Sequence, residues 1–90
     1  MPILYALVAR GTDVLAEFSG TTGNFQQISR RILEKLPTTD ARMSYVYDRH
    51  VFHYVIHNRL AFLCMADEGF GRRVPFVFLD EVIRRASAAP

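Results

Sequence analysis

Three histidines, one cysteine and a pair of adjacent acids are the side chains of this sequence best equipped for chemistry. His50, His53 and His57 invite a metal reading. Along an extended strand His53 and His57 share a face but stand about 13 Å apart, too far to hold one ion. They are read as solvated or edge-strand histidines, and no metal site is expected. Cys64 lies within Leu-Ala-Phe-Leu-Cys-Met-Ala, so its thiol is expected to be buried and unreactive. A single cysteine makes neither an internal disulfide nor a cysteine zinc cage. Ser19, Ser29, Ser44 and Ser87 lack a paired base at motif spacing, so no activated nucleophile is recognised. Asp67-Glu68 could act as paired carboxylates, yet adjacent acids before Gly69 read more simply as a solvated loop. Gly69-Phe70-Gly71 has neither the lysine nor the length of a phosphate loop. No catalytic residue and no cofactor is assigned. The chain reads as a binding module, not an enzyme.

Charge narrows the partner. Eleven basic residues face nine acidic ones, a net +2 too mild to imply nucleic acid. The basic doublets are Arg30-Arg31, Arg72-Arg73 and Arg84-Arg85. Nucleic-acid binding would need them on one face beside aromatic platforms, whereas their two helices are expected on opposite faces of a sheet. Solubilising arginines are the simpler reading, with contact to anionic lipid headgroups a secondary one. At 90 residues and 50% hydrophobic the chain makes one domain. No apolar run approaches the ~18–20 residues needed to span a bilayer.

The elements that must position these groups follow from periodicity. Ile3 to Ala9 is apolar on both faces of a strand. After the turn Arg10-Gly11-Thr12-Asp13, Val14 to Ser19 alternates, with Val14, Ala16 and Phe18 expected on one face. Asn24 is an expected N-cap, with Gln27 completing a capping box. Phe25, Ile28, Ile32, Leu33 and Leu36 then recur at helical spacing until Pro37 stops the helix. Arg42 to Tyr47 sets Met43, Tyr45 and Tyr47 against Arg42, Ser44 and Val46. His50 to His57 sets Phe52, Tyr54 and Ile56 against Val51, His53, Val55 and His57. Asn58-Arg59 turns the chain into the unbroken apolar run Leu60 to Ala66. A loop over 67–71 precedes a second helix from about Arg72 to Ala86, with Pro75 in its first turn and Phe76, Leu79, Val82 and Ile83 facing inward. Ser87 to Pro90 are expected to fray.

The first and fifth strands, apolar on both faces, belong side by side in the middle of a sheet covered on both faces. The expected order is therefore 2-1-5-4-3, all antiparallel, with one helix on each face. This is an α+β (α/β-layered), profilin-like plan.

Several stretches carry a closer resemblance. Ile3-Leu4-Tyr5-Ala6-Leu7-Val8-Ala9-Arg10-Gly11-Thr12 with Val14-Leu15-Ala16-Glu17, then Gly23-Asn24-Phe25 and Ile32-Leu33-Glu34-Lys35-Leu36-Pro37, resemble the N-terminal longin domain of R-SNARE proteins. So do Met43-Ser44-Tyr45, Val51-Phe52-His53-Tyr54, Gly71-Arg72 and Pro75-Phe76-Val77-Phe78-Leu79, especially in plant and algal members of the vesicle-associated membrane protein seven class. The resemblance covers almost the whole chain in a single register. It implies the longin fold for residues 1–90. It further implies a regulatory role in vesicle fusion and sorting, through a SNARE motif segment of its own or a partner chain and through trafficking adaptors. It places the parent protein at the cytoplasmic face of vesicle, endosomal, vacuolar or plasma membranes. A longin-like adaptor or small-GTPase scaffold is the alternative, and a basic RNA-binding domain a third. The resemblance also implies that the chain stops short of a third helix, a SNARE motif and a membrane anchor, leaving part of one sheet face exposed.

The binding surface implied by the resemblance is a groove between the first helix and third strand, with Ile28, Ile32 and Leu36 on the helix and Met43 and Tyr45 on the strand. An edge strand offers unpaired backbone groups to an extended peptide, and methionine and tyrosine suit adaptable apolar contacts. The competing reading makes Met43 and Tyr45 ordinary core residues of the inner face.

Overall fold

A computed structural model describes residues 3–20, 23, 25–37 and 39–88. Its elements are β1 (Ile3–Arg10), β2 (Asp13–Ser19), α1 (Phe25–Lys35), β3 (Ala41–Tyr47), β4 (His50–His57), β5 (Leu60–Asp67) and α2 (Arg73–Ala88), with a 3-10 turn over Glu68–Phe70 between the last two. The five strands form one antiparallel sheet in the order β2-β1-β5-β4-β3. This is the expected order, and its cause is visible in burial. On β5, Ala61 through Ala66 are all buried, alternate side chains going to opposite faces. Ala61, Leu63 and Met65 join Tyr5, Leu7, Ala9, Ile32, Leu33 and Phe52 in the core beneath α1. Phe62, Cys64 and Ala66 join Ile3, Val55 and Leu79 in a second core beneath α2. A strand with two apolar faces has to lie between two helices.

Turn chemistry sets the hairpins. Asp48 and Arg49 both lie at positive φ, as do Asn58 and Arg59, so each two-residue turn is of the primed kind whose twist suits flanking strands. Gly11, at φ +60, turns β1 into β2.

One expectation about β2 fails. The register passes from Val8 opposite Ala16 to Ala9 opposite Val14, leaving Leu15 unmatched in a bulge. The extra residue turns Val14 into the α1-side core, while Ala16 and Phe18 stay on the other face beside Phe78 and Val82. There they border an apolar hollow of about 230 Å³, and Phe18 is left 55% exposed.

α1 ends where Pro37 forbids a helical Leu36, and the Leu36 N–H closes the last turn on the Leu33 carbonyl at 3.4 Å. The N-cap expected at Asn24 lies outside the described residues. In α2, Pro75 is the third helical residue, where its missing N–H costs no intrahelical bond, and it is fully buried. Leu79 is the buried anchor, flanked by Phe76, Val82 and Ile83 as expected. Two bounds differ from expectation. Asp67 finishes β5 and Glu68 opens the 3-10 turn, tied by its N–H to the Arg49 carbonyl at 2.9 Å, so the acidic pair is not an unstructured loop. The backbone of Ser87 and Ala88 continues α2 instead of fraying.

A polar clasp holds α1 to the β2 edge. The buried Tyr5 hydroxyl donates to the Glu17 carboxylate, whose other oxygen accepts from Gln26 at 3.2 Å. Burial first, and then the Glu17 bond, push the Tyr5 phenol well above its ordinary pKa. Tyr5→Phe should lower unfolding stability by about 1–2 kcal/mol in urea titration, as befits a bond to a charged acceptor. An unchanged midpoint would show the clasp to be energetically idle.

Candidate functional site

Alternation along β3 decides which side chains face which helix. Arg42, Ser44 and Val46 turn toward α2. There Arg42 reaches Asp80 at 2.8 Å and lies 5.1 Å over the Phe76 ring. Met43, Tyr45 and Tyr47 turn toward α1. Neither Met43 nor Tyr45 is a core residue: each is 53% exposed, which removes the competing reading of the pair. β3 is the last strand of the sheet, so one row of its backbone groups is free of sheet pairing.

Ile28 and Ile32 stand one turn apart on α1, and Leu36, the first residue past its end, continues their line. Between this line and β3 lies a cleft of about 260 Å³, lined by Ile28, Ile32, Leu36, Tyr45, Tyr47 and Tyr54. Four of the five expected groove residues are thus brought together. Ile32 is its floor, being buried in the α1-side core, while Ile28 and Leu36 are half-buried walls. Met43 does not line the cleft. It sits on the same strand face, paired opposite Tyr54, and extends the apolar surface past the cleft's end.

Sequence reasoning missed Tyr54 and the two cations at the rim, Arg31 and Lys35. Tyr54 is on β4, and only the β3–β4 register brings it under Met43 and Tyr45. Arg31 lies three residues after Ile28, and Lys35 three after Ile32. That spacing carries their stems along the apolar line and leaves the charges at its margin. Among the described residues no acid lines the cleft, so its mouth is positive.

The other candidate groups occupy different places. His50 is half-buried, with Nδ1 3.0 Å from the Asp48 carbonyl and its ring edge-on to Phe25. His57 is exposed. His53 overturns the expectation of a solvated residue: it is fully buried between β4 and α2, against Phe76. Its Nδ1 is 2.8 Å from the Ser44 hydroxyl, and Nε2 has no partner among the described residues. Among those residues no three His, Cys, Asp or Glu side chains converge on one point. Cys64 is fully buried, and burial pushes its thiol up to about 12, which keeps it unreactive. Glu81 accepts from both Arg84 and Arg85, which hold its carboxyl down to about 2 and neutralise part of that doublet.

The buried His53 has a pH consequence. Burial, and secondarily the Arg72 charge, lower its pKa below the ordinary 6.5. The unfolded chain takes up this proton near pH 6.5 and the folded chain does not, so stability is lost as pH falls below that value. Thermal midpoints measured from about pH 7.5 down to about pH 5 should fall more steeply for the wild type than for His53→Gln. Equal slopes would contradict a neutral, desolvated His53.

No helix of the described residues is long and apolar enough to cross a membrane. Comparison with known proteins bears on the family. A family model described as Longin, regulated-SNARE-like domain, matches residues 15–87. Vesicle-associated membrane protein 7B of Dictyostelium discoideum is 60% identical over 85 residues, covering 94% of this chain and 33% of its own length. Vesicle-associated membrane protein 713 of Arabidopsis thaliana is 54% identical over 87 residues, covering 94% and 39%. The mouse vesicle-associated membrane protein 7 is 40% identical over 85 residues, with the same two coverages. The chain therefore spans a third to two-fifths of the length of these relatives. With its five-stranded sheet, two flanking helices and these matches, the chain belongs to the Longin family of regulated-SNARE-like domains, of the vesicle-associated membrane protein 7 type.

Proposed function

We propose that this domain regulates SNARE assembly and vesicle sorting by seating an apolar segment, from a SNARE motif or a trafficking adaptor, in the α1–β3 groove. The observation that carries this reading is the cleft between the Ile28–Ile32–Leu36 line and the exposed tyrosines of β3, open beside an unpaired strand edge. Its apolar floor and cationic rim suit an amphipathic segment whose acidic positions fall opposite Arg31 and Lys35. The domain acts by binding.

Burying a few hundred Å² of partner surface here yields roughly 25 cal/mol per Å² before ordering costs, which leaves association micromolar at best. Within one chain the same contact needs no more affinity than that. A tethered segment sits at about millimolar effective concentration, so closure is favoured and a competing adaptor can release it. The site of action is the vesicle or endomembrane surface, as the relatives' names suggest.

The test is to add a synthetic R-SNARE heptad peptide to the labelled domain and follow its backbone amides by NMR. Shifts should concentrate on Ile28 to Leu36 and Met43 to Tyr47. Shifts confined to the α2 face would overturn the groove assignment.

A further inference from the structure

A second cavity, larger than the α1–β3 groove, lies elsewhere on the domain. It lies at the end of the sheet where α1 stops short, between the Gly11 turn and the Asn58-Arg59 turn. Its volume is about 640 Å³, inside the ~300–1,000 Å³ range of small-ligand pockets. The space exists because Pro37 ends the helix before it can cover Ile56 and Ala61, and because Ala61 and Gly11 have little or no side chain to fill it. Leu33, Leu36 and Ile56 form an apolar floor.

Two arginines, Arg10 and Arg59, line the same cavity. Arg10 ends β1 opposite Leu60, which puts it beside Arg59 across the strand pair. Like charges so placed repel one another unless an anion joins them. Neither arginine has an ion-pair partner among the described residues. Two carboxylates lie nearby. Asp40 accepts from the Asn58 N–H at 3.2 Å, and Asp13 is the cross-strand neighbour of Arg10, but neither reaches a guanidinium within ion-pair distance. Arg59 also occupies a position at φ +68 where glycine would be the stronger residue, so its side chain is kept at the expense of backbone comfort.

We propose that this cavity binds an amphipathic anion, its acyl or aryl body on Leu33, Leu36 and Ile56 and its carboxylate or phosphate between Arg10 and Arg59. Paired guanidiniums recognise carboxylate and phosphate equally by geometry, so both headgroups are admitted. The site lies apart from β3 and does not depend on the groove reading, although Leu36 borders both cavities.

The experiment titrates the labelled domain with decanoate, decyl phosphate and decanol, each below its aggregation threshold, and follows backbone amides by NMR. Decanoate, decyl phosphate or both should shift Gly11, Thr39, Arg59 and Ala61, and decanol should bind at least tenfold more weakly. A response to one anion only identifies its headgroup as the ligand's. Arg59→Gly separates binding from folding, since glycine relieves the left-handed backbone. Its thermal midpoint should hold or rise while anion affinity falls about tenfold. Three outcomes overturn the proposal: no shift with either anion, equal affinity for decanol, or unchanged anion affinity in Arg59→Gly. Shifts confined to the α1–β3 cleft overturn it as well.

Discussion

Leu79→Ala should cost the domain about 2–5 kcal/mol, a large share of the roughly 5–13 kcal/mol expected of ninety residues. Leu79 is 1% exposed and sits among Phe62, Cys64 and Val55, so truncation leaves a void that neighbouring strands cannot collapse into. α2 has little else to hold it. Apart from Pro75 in its first turn, its other inner residues are half-buried, and its polar tie to β3, Arg42 with Asp80, is an exposed pair worth about 0–1 kcal/mol. The thermal midpoint should therefore fall by at least about 8 °C. Val77→Ala on the same helix is the control. Val77 is 60% exposed and alanine is the better helix former, so its change should stay within about 0.5 kcal/mol. Comparable losses in both variants would mean that the α2-side core is not packed as described.

The elements that were legible in the sequence are those whose pattern has one physical solution. Leu60 to Ala66 is apolar at every position, and only a central strand beneath two helices buries both of its faces. That single inference, joined to Ile3–Ala9, orders the whole sheet. The α2 stripe was equally plain, since Leu79 recurs with Phe76, Val82 and Ile83 at helical spacing. The Leu15 bulge was not legible, because alternation counts residues and cannot see one that the partner strand skips. Nor was the burial of His53. It shares its face of β4 with Val51 and Val55, but histidine by type gives no sign of burial, and it is the Phe76 ring of α2 that packs against it. In the groove, alternation set Tyr47 beside Tyr45, and helical spacing aligned Ile28, Ile32 and Leu36. Tyr54 enters through a cross-strand register that no local pattern encodes. Arg10 and Arg59 meet at one cavity for the same reason.

The second large effect belongs to the groove. Tyr45 is half exposed in the free domain and flanks the cleft with a ring and a hydroxyl, the residue type that most often anchors an interface. Tyr45→Ser should weaken peptide binding about tenfold or more, with little effect on stability, because the ring opposite Phe52 is not part of either core. Met43→Glu should weaken it less. Met43 extends the apolar surface without lining the cleft, and its new charge stands outside the Arg31 and Lys35 rim.

Calorimetric titration of an R-SNARE heptad peptide into the wild-type domain and Tyr45→Ser puts the central claim to its most direct test. The α1–β3 groove predicts micromolar binding to the wild type and at least a tenfold loss in the variant, at an unchanged thermal midpoint. Equal affinity for both proteins would contradict it, and so would a variant that loses binding only because it unfolds.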